Sequence, residues 1–221
     1  MIAKILDFFI NLLKWPTATL SLCCLLPATL ELINLLALGL KNLESFGAIL
    51  FGIISYTIAS RILVGKKRQG WFSTLEHELT HALFALLTFH PVTGIKTTDT
   101  HGGVIHFTGG NNWLIIISPY FFPTFSFFCI LIFCLLKIEN NFTANAMLGF
   151  TMAYHLISTK HELHKEQTDL QETGFLFSWI FLPGANIISY GMLLSFSFGG
   201  IQQLTKYLTS SYQPILNFFG L

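Results

Sequence analysis

The residues best suited to chemistry are His77-Glu78-Leu79-Thr80-His81, which form an HExxH motif. Residues four apart lie on one face of an α-helix, so both imidazoles can bind one Zn²⁺ while Glu78 lies beside them as a general base. This spacing predicts a metal centre that activates water, with His77 and His81 as metal ligands and Glu78 as the catalytic residue.

The surroundings of the motif strengthen this prediction. The motif runs directly into Ala82-Leu83-Phe84-Ala85-Leu86-Leu87, a strongly apolar stretch. Ionisable side chains inside a membrane span cost several kcal/mol unless they are paired or coordinated. The two His and two Glu residues between positions 76 and 81 therefore need a partner, and a metal ion satisfies them together.

A catalytic zinc usually has three protein ligands and leaves a fourth position for water. Asp169, just before the last long apolar segment, is the favoured third ligand, and His155 is the alternative. A competing interpretation makes Asp169 only a helix N-cap beside Glu172. The nearby stretch His161-Glu162-Leu163-His164 has its histidines three residues apart among charged side chains, which indicates a solvated surface rather than a second metal site.

Residues 92–112 have a different character from the apolar runs on either side. Thr and β-branched residues flank Gly102-Gly103, and Gly109-Gly110 ends the run. This pattern predicts a β-hairpin or a re-entrant loop. Val104 and His106 would share one face of the second strand. Together with Gly103 they are candidate substrate-binding residues, and the competing interpretation is a polar edge near the lipid headgroups.

The composition is that of a membrane protein. The chain has 221 residues, of which 52% are hydrophobic and only 10% charged, whereas soluble domains carry about 25% charged residues. Because so few charges cannot cover the apolar surface in water, we expect an integral, multi-pass protein of the lipid bilayer. The net charge of +1 gives no indication of nucleic-acid binding.

A transmembrane helix needs about 20 mostly apolar residues, which predicts an all-α, polytopic bundle of about six transmembrane helices. The predicted segments are 17–40, 45–63, 71–89, 113–136, 143–157 and 174–198. Polar residues recur on one face of the N-terminal stretch, which suits a helix in the membrane interface. We expect one membrane-embedded domain over 1–221, with an interfacial helix at 1–15, a catalytic core at 71–198 and an interfacial tail at 201–221.

A basic cluster between Arg61 and Arg68 places the loop after the second segment in the cytoplasm by the positive-inside rule. If all later segments crossed the membrane fully, Asp169 would lie on the side opposite Trp71. Either segment 143–157 is re-entrant, or the metal lies nearer the middle of the membrane.

An HExxH motif in a membrane helix, a Gly-Gly hairpin after it and an Asp at the start of a later helix resemble the site-2 protease family of intramembrane zinc metalloproteases. The similarity is greatest to the compact branch without an inserted PDZ domain. It covers residues 71–198, and HELTHALFALL is its most specific part. The resemblance implies His77, His81 and Asp169 as zinc ligands and Glu78 as catalytic base. The chain departs from the better-known members, which carry Asn-x-x-Pro and then Leu-Asp-Gly around the third ligand, because it has Thr168-Asp169-Leu170 there.

The residues and the resemblance together predict an intramembrane peptidase with one Zn²⁺ per chain, acting on membrane-protein or peptide substrates in a bacterial cytoplasmic membrane. The alternative is a zinc-binding membrane protein without proteolytic activity, such as a transporter, a sensor or an inactive scaffold. Another group of multispanning zinc peptidases uses Glu as third ligand and cuts outside the bilayer. The scarcity of Glu in the downstream apolar segments disfavours that group.

Overall fold

The computed structural model describes residues 2–63, 71–98, 102–138, 141–218 and 220. Most of the predicted basic cluster, including Lys66, Lys67 and Arg68, lies outside these residues. The described elements, in chain order, are α1 (Ile2–Leu12), α2 (Lys14–Gly39), α3 (Leu43–Leu63), α4 (Trp71–Leu87), β1 (Val92–Thr98), β2 (Gly102–Phe107), α5 (Trp113–Ile117), α6 (Thr124–Leu135), α7 (Phe142–Glu162), α8 (Thr168–Thr173) and α9 (Phe175–Phe218).

Within the described residues, three helices are long and apolar enough to cross a membrane: α2, the Leu43–Ile62 part of α3, and α9. A fourth span is added if α5 and α6 are the two halves of one broken span. The chain is therefore an all-α integral membrane protein apart from one small sheet. Each of the six segments predicted as membrane helices contains α-helix, but the count of six spans is not confirmed.

The segment 113–136 does not form the single helix expected of a membrane span. It divides into α5, a 3₁₀ turn at Ser118–Tyr120 and α6, and the two halves are bent by 86°. Pro123 explains the break, because proline lacks an amide N–H and disfavours helical backbone at the residue before it. The amide of Phe125 donates instead to Glu76 Oε1, at 3.0 Å. This bond holds the start of α6 on α4, the helix that carries the HExxH motif.

Between α4 and α5 the chain forms the predicted β-hairpin. Strands β1 and β2 are antiparallel, and Ile95 lies opposite Ile105 and Lys96 opposite Val104. An irregularity between Val92 and Gly94 interrupts the register. The hairpin, rather than the re-entrant loop, is the correct one of the two predicted alternatives.

Helices α3 and α7 pack with their backbones in contact. A Cβ atom added to Gly52 would overlap the carbonyl oxygen of Ala146, and one added to Gly149 would overlap that of Ile49. Small residues at a helix crossing allow this close approach, which is common between membrane helices. The contact fixes the path of α7, whose last residue, Glu162, is buried.

Helix α9 is broken at Gly199 and Gly200, where the φ of +62° at Gly200 suits glycine. In an unbroken helix, residues 187 and 207 would be roughly 30 Å apart. Instead the Tyr207 hydroxyl donates to the Ile187 carbonyl oxygen at 3.0 Å, and its ring lies against Gly191. The C-terminal part of α9 therefore folds back onto the membrane helices and does not extend away from them.

Candidate metal centre

Helix α4 carries the three residues of the HExxH motif that could do chemistry. His77, Glu78 and His81 are 5 to 7% exposed. The two imidazole rings are one helical turn apart, with ring centroids separated by 4.7 Å. The i, i+4 spacing thus places both rings on one face of the helix, as the sequence predicts.

Asp169, in the first turn of α8, meets these two histidines. Its Oδ2 atom lies 3.1 Å from His77 Nε2 and 3.4 Å from His81 Nε2, and the two Nε2 atoms are 3.1 Å apart. Three possible ligand atoms therefore converge on one point, and these residues could hold a metal ion. Ligand atoms about 2.0–2.1 Å from a tetrahedral zinc lie roughly 3.3 Å apart, so the three separations fit zinc.

The other nitrogen of each imidazole has a partner that sets its orientation. His81 Nδ1 lies 2.7 Å from the carbonyl oxygen of Ile115, to which only an N–H can donate. His77 Nδ1 lies 2.6 Å from Glu162 Oε2. Donation from Nδ1 leaves the Nε2 lone pairs free to bind a metal, and metal-binding histidines commonly use this arrangement with a carboxylate or a backbone carbonyl.

Glu162 is a site residue that the sequence analysis missed. The stretch 161–164 was predicted to be a solvated surface, which is correct for His161 and His164 but wrong for Glu162, which is 6% exposed. A signal was present: Glu162 follows His155 by seven residues, and both lie on the buried stripe of α7 with Ser158 and Thr159.

The oxygen of Asp169 that meets the histidines has one more contact, with Tyr120, whose ring also lies against His77. The hydroxyl of Tyr120, which is fully buried, donates to Asp169 Oδ2 at 3.1 Å. Burial raises the pKa of the Asp169 carboxyl, but the close approach of His77 and His81 outweighs burial and holds that pKa well below its ordinary value. The carboxylate is therefore ionised, as a metal ligand must be.

The two competing interpretations, Asp169 as a helix N-cap and His155 as the third ligand, fit this geometry less well. The N-cap position of α8 is Gln167, so the competing prediction of Asp169 as an N-cap is wrong. His155, the alternative ligand, bonds through Nδ1 to the Tyr190 hydroxyl and through Nε2 to the carbonyl oxygen of Pro119. It is absent from the group of converging ligand atoms found among the described residues.

A cleft of about 250 Å³ opens onto the three converging side chains and Glu78. Strand β2 lines the cleft with consecutive residues, which belong to both faces of the hairpin. The edge of the strand, rather than one of its faces, is therefore directed at the cleft. Gly103 packs so closely on Glu78 that a Cβ atom there would overlap the Glu78 side chain. Val104 lines the cleft and is 52% exposed. His106, the third predicted substrate-binding residue, is exposed and is not among the lining residues of the described chain.

Helix α8 and the segment before it also line the cleft. Gln167, Thr168 and Glu172 are their lining residues. Asn111, which lines the cleft too, donates from Nδ2 to Glu172 Oε1 at 3.1 Å and so connects α8 to the segment after β2. Sequence reasoning missed these polar residues, because nothing in their local pattern indicates which parts of the chain meet.

Comparison with known proteins assigns the family. The model of the family described as Peptidase M50B-like matches residues 46–212, which is more than half of the chain and includes every residue of the converging group. No curated protein and no solved structure matches the chain significantly. The chain belongs to the M50B-like peptidases, and its predicted membership of the site-2 protease family of membrane metalloproteases is confirmed.

Proposed function

We propose that this chain is an intramembrane zinc metallopeptidase that hydrolyses peptide bonds in or near transmembrane segments of other membrane proteins. The observation that carries the proposal is the convergence of two imidazole nitrogens and one carboxylate oxygen beside Glu78 in an open cleft. A set of two His ligands and one acidic ligand is a known composition for catalytic zinc, and it leaves one position open. The proposed domain is the whole membrane-embedded chain, 1–221, with its catalytic core at 71–198.

His77, His81 and Asp169 would hold the zinc ion, which would supply Lewis acidity and would make a water acidic enough to lose a proton near neutral pH. Glu78 accepts the proton of the attacking water and delivers it to the nitrogen of the departing amine. Glu162 and the Ile115 carbonyl hold the two imidazoles with Nε2 toward the cleft.

The proposed substrate reaches this centre as an extended strand. The carbonyls of a transmembrane helix are hydrogen-bonded within the helix, so the helix must unwind locally before attack. One edge of β2 is paired with β1, and the strand lines the cleft. We infer that the unwound segment adds to the β2 edge, near Gly103 and Val104, by backbone hydrogen bonding. The exposed His106 then contacts flanking residues of the substrate.

The decisive experiment combines zinc analysis with cleavage of a reconstituted transmembrane peptide. We expect about one zinc per chain in the wild type, and loss of zinc and activity together in His81→Ala and Asp169→Ala. Glu78→Gln keeps zinc but loses 10²-fold or more of its turnover, since positioned proton transfer contributes about 10²–10⁴-fold. A zinc-free wild type refutes the metal site. A wild type that binds zinc but cleaves no peptide favours a transporter, a sensor or an inactive scaffold instead, and unchanged cleavage in Glu78→Gln refutes Glu78 as the catalytic base.

Substrate binding by β2 has its own test. Replacing Val104 or His106 should change the choice among substrate peptides more than it changes zinc content. Equal loss of zinc in these variants would count against a substrate-binding strand and for a structural one.

A further inference from the structure

Helix α1 is attached to the start of α5 and to the segment before it. The indole N–H of Trp113 donates to the Ile10 carbonyl oxygen at 2.6 Å, and the Trp113 amide donates to Asn11 Oδ1 at 3.3 Å. The apolar residues Ile5, Phe8 and Phe9 are more than half exposed on the other side of α1. The part of the polar face of α1 that carries Asp7 and Asn11 is therefore directed at protein. Residues 1–45 lie outside the segment that the family model matches.

The centre of this attachment is the carboxylate of Asp7, which is 8% exposed. Its Oδ1 accepts from Asn112 Nδ2 at 2.7 Å, and its Oδ2 lies 3.2 Å from Nε2 of the fully buried His90. His90 Nδ1 in turn lies 3.0 Å from the Thr88 hydroxyl. One side chain of α1 thus bonds to both ends of the connection that contains the hairpin, at residue 90 before it and at residue 112 after it.

The backbone around residue 110 is shaped to receive Asp7. Gly110 has a φ of +125°, and a Cβ atom there would lie 2.6 Å from Asp7 Oδ2. Gly109 has a φ of +114° and packs against the His90 ring. The Gly109-Gly110 pair noted in the sequence therefore allows both the turn and the close approach of the carboxylate.

A short chain of hydrogen bonds leads from Asp7 to the metal centre. Asn112 is the N-cap of α5, and its Oδ1 accepts from the Ile115 amide at 3.1 Å. The Ile115 carbonyl oxygen is the acceptor for His81 Nδ1. We propose that Asp7 is a positioning residue: through Asn112 it holds the start of α5 and hence the orientation of His81. This inference rests on the proposed function.

An exchange of the two side chains tests the pairing. Asn112→Asp keeps a good N-cap but places a second carboxylate against Asp7, where a donor had been. In the double variant Asp7→Asn/Asn112→Asp, the amide introduced at position 7 donates to the carboxylate introduced at position 112, and its carbonyl accepts from His90. Lys4→Gln, at an exposed position of the same helix, is the control.

The measurements are zinc affinity in a chelator competition, kcat and KM for the transmembrane peptide, and hydrogen exchange of the amides around 113–117. Outer-shell partners of metal ligands contribute about 10–100-fold to affinity or activity. We expect Asn112→Asp to lose at least about tenfold in zinc affinity and in kcat, with faster exchange at 113–117. The double variant should recover to within about threefold of wild type, and Lys4→Gln should equal wild type.

Two results overturn the inference: an Asn112→Asp variant with wild-type zinc affinity and kcat, or a double variant no better than Asn112→Asp. Failure of the proposed function looks different, because the wild type itself would then bind no zinc or cleave no peptide. Exchange at 113–117 reports on the Asp7–Asn112 pair in either case.

Discussion

The contact between Glu162 and His77 leads to the most specific prediction. Glu162 Oε2 lies 2.6 Å from His77 Nδ1. Both side chains are buried, so a variant that removes the Glu162 carboxylate leaves His77 Nδ1 without that acceptor. A hydrogen bond to a charged group contributes about 1.5–3 kcal/mol, and a neutral one about 0.5–1.5 kcal/mol. Glu162→Gln keeps a neutral acceptor, so it should cost about 1–1.5 kcal/mol of metal binding, which corresponds to roughly a tenfold rise in the zinc dissociation constant.

Glu162→Leu removes the acceptor altogether. The zinc dissociation constant should then rise by up to about a hundredfold, the upper end of the effect of outer-shell partners of metal ligands. Zinc affinity is measured by competition with a chelator, and peptide cleavage is measured at saturating zinc. Glu166→Gln is the matched control, because it makes the same chemical change four residues away at an exposed position.

We expect zinc affinity to be highest in the wild type, lower in Glu162→Gln and lowest in Glu162→Leu. Equal affinities for all three would refute the reasoning, because they would mean that His77 is oriented without Glu162. A loss in Glu166→Gln as large as that in Glu162→Gln would also refute it, since a general loss of negative charge would then explain both.

Two other substitutions test close packing, each against a glycine with free space. Gly103→Ala should reduce peptide cleavage at least about tenfold and leave zinc bound, because the new methyl group displaces Glu78. Gly94→Ala is the control on the partner strand. It should leave cleavage unchanged, because nothing lies within 4 Å of the added atom. Gly149→Ala should destabilise the α3–α7 contact by about 1–3 kcal/mol in thermal or denaturant unfolding, whereas Gly47→Ala should be neutral or stabilising. Equal effects within either pair would contradict the packing argument.

Local patterns were sufficient for much of the candidate site. The i, i+4 spacing of His77 and His81 determines that both rings share a face in any α-helix. The hairpin was predicted for the same kind of reason, since Thr and β-branched residues around glycines favour two short strands joined by a turn. The Gly102-Gly103 pair itself lies in β2, where it pairs with Thr98 and Thr97. Asp169 was selected by the chemistry of zinc together with the resemblance, and the structure brings it to the histidines.

Predictions that required the path of the whole chain were less successful. The predicted count of six spans is not confirmed, and the bend between α5 and α6 shows why apolar length alone does not give that count: Pro119 and Pro123 interrupt a run that is long and apolar enough to cross a membrane. The predicted conflict between Asp169 and Trp71 depended on simple alternation of full spans. That alternation counts 113–136 as one straight span, whereas α5 and α6 are bent by 86°.

The amino-acid sequence by itself determined the membrane environment, the metal-binding motif and the hairpin, because each depends on composition or on residues close together in the chain. Only the tertiary structure decided that Glu162 orients His77, that Tyr120 holds Asp169 and that Asp7 bonds to Asn112. These pairs are separated by 85, 49 and 105 residues. No local periodicity can relate residues so far apart, since their meeting depends on how the helices bend and pack.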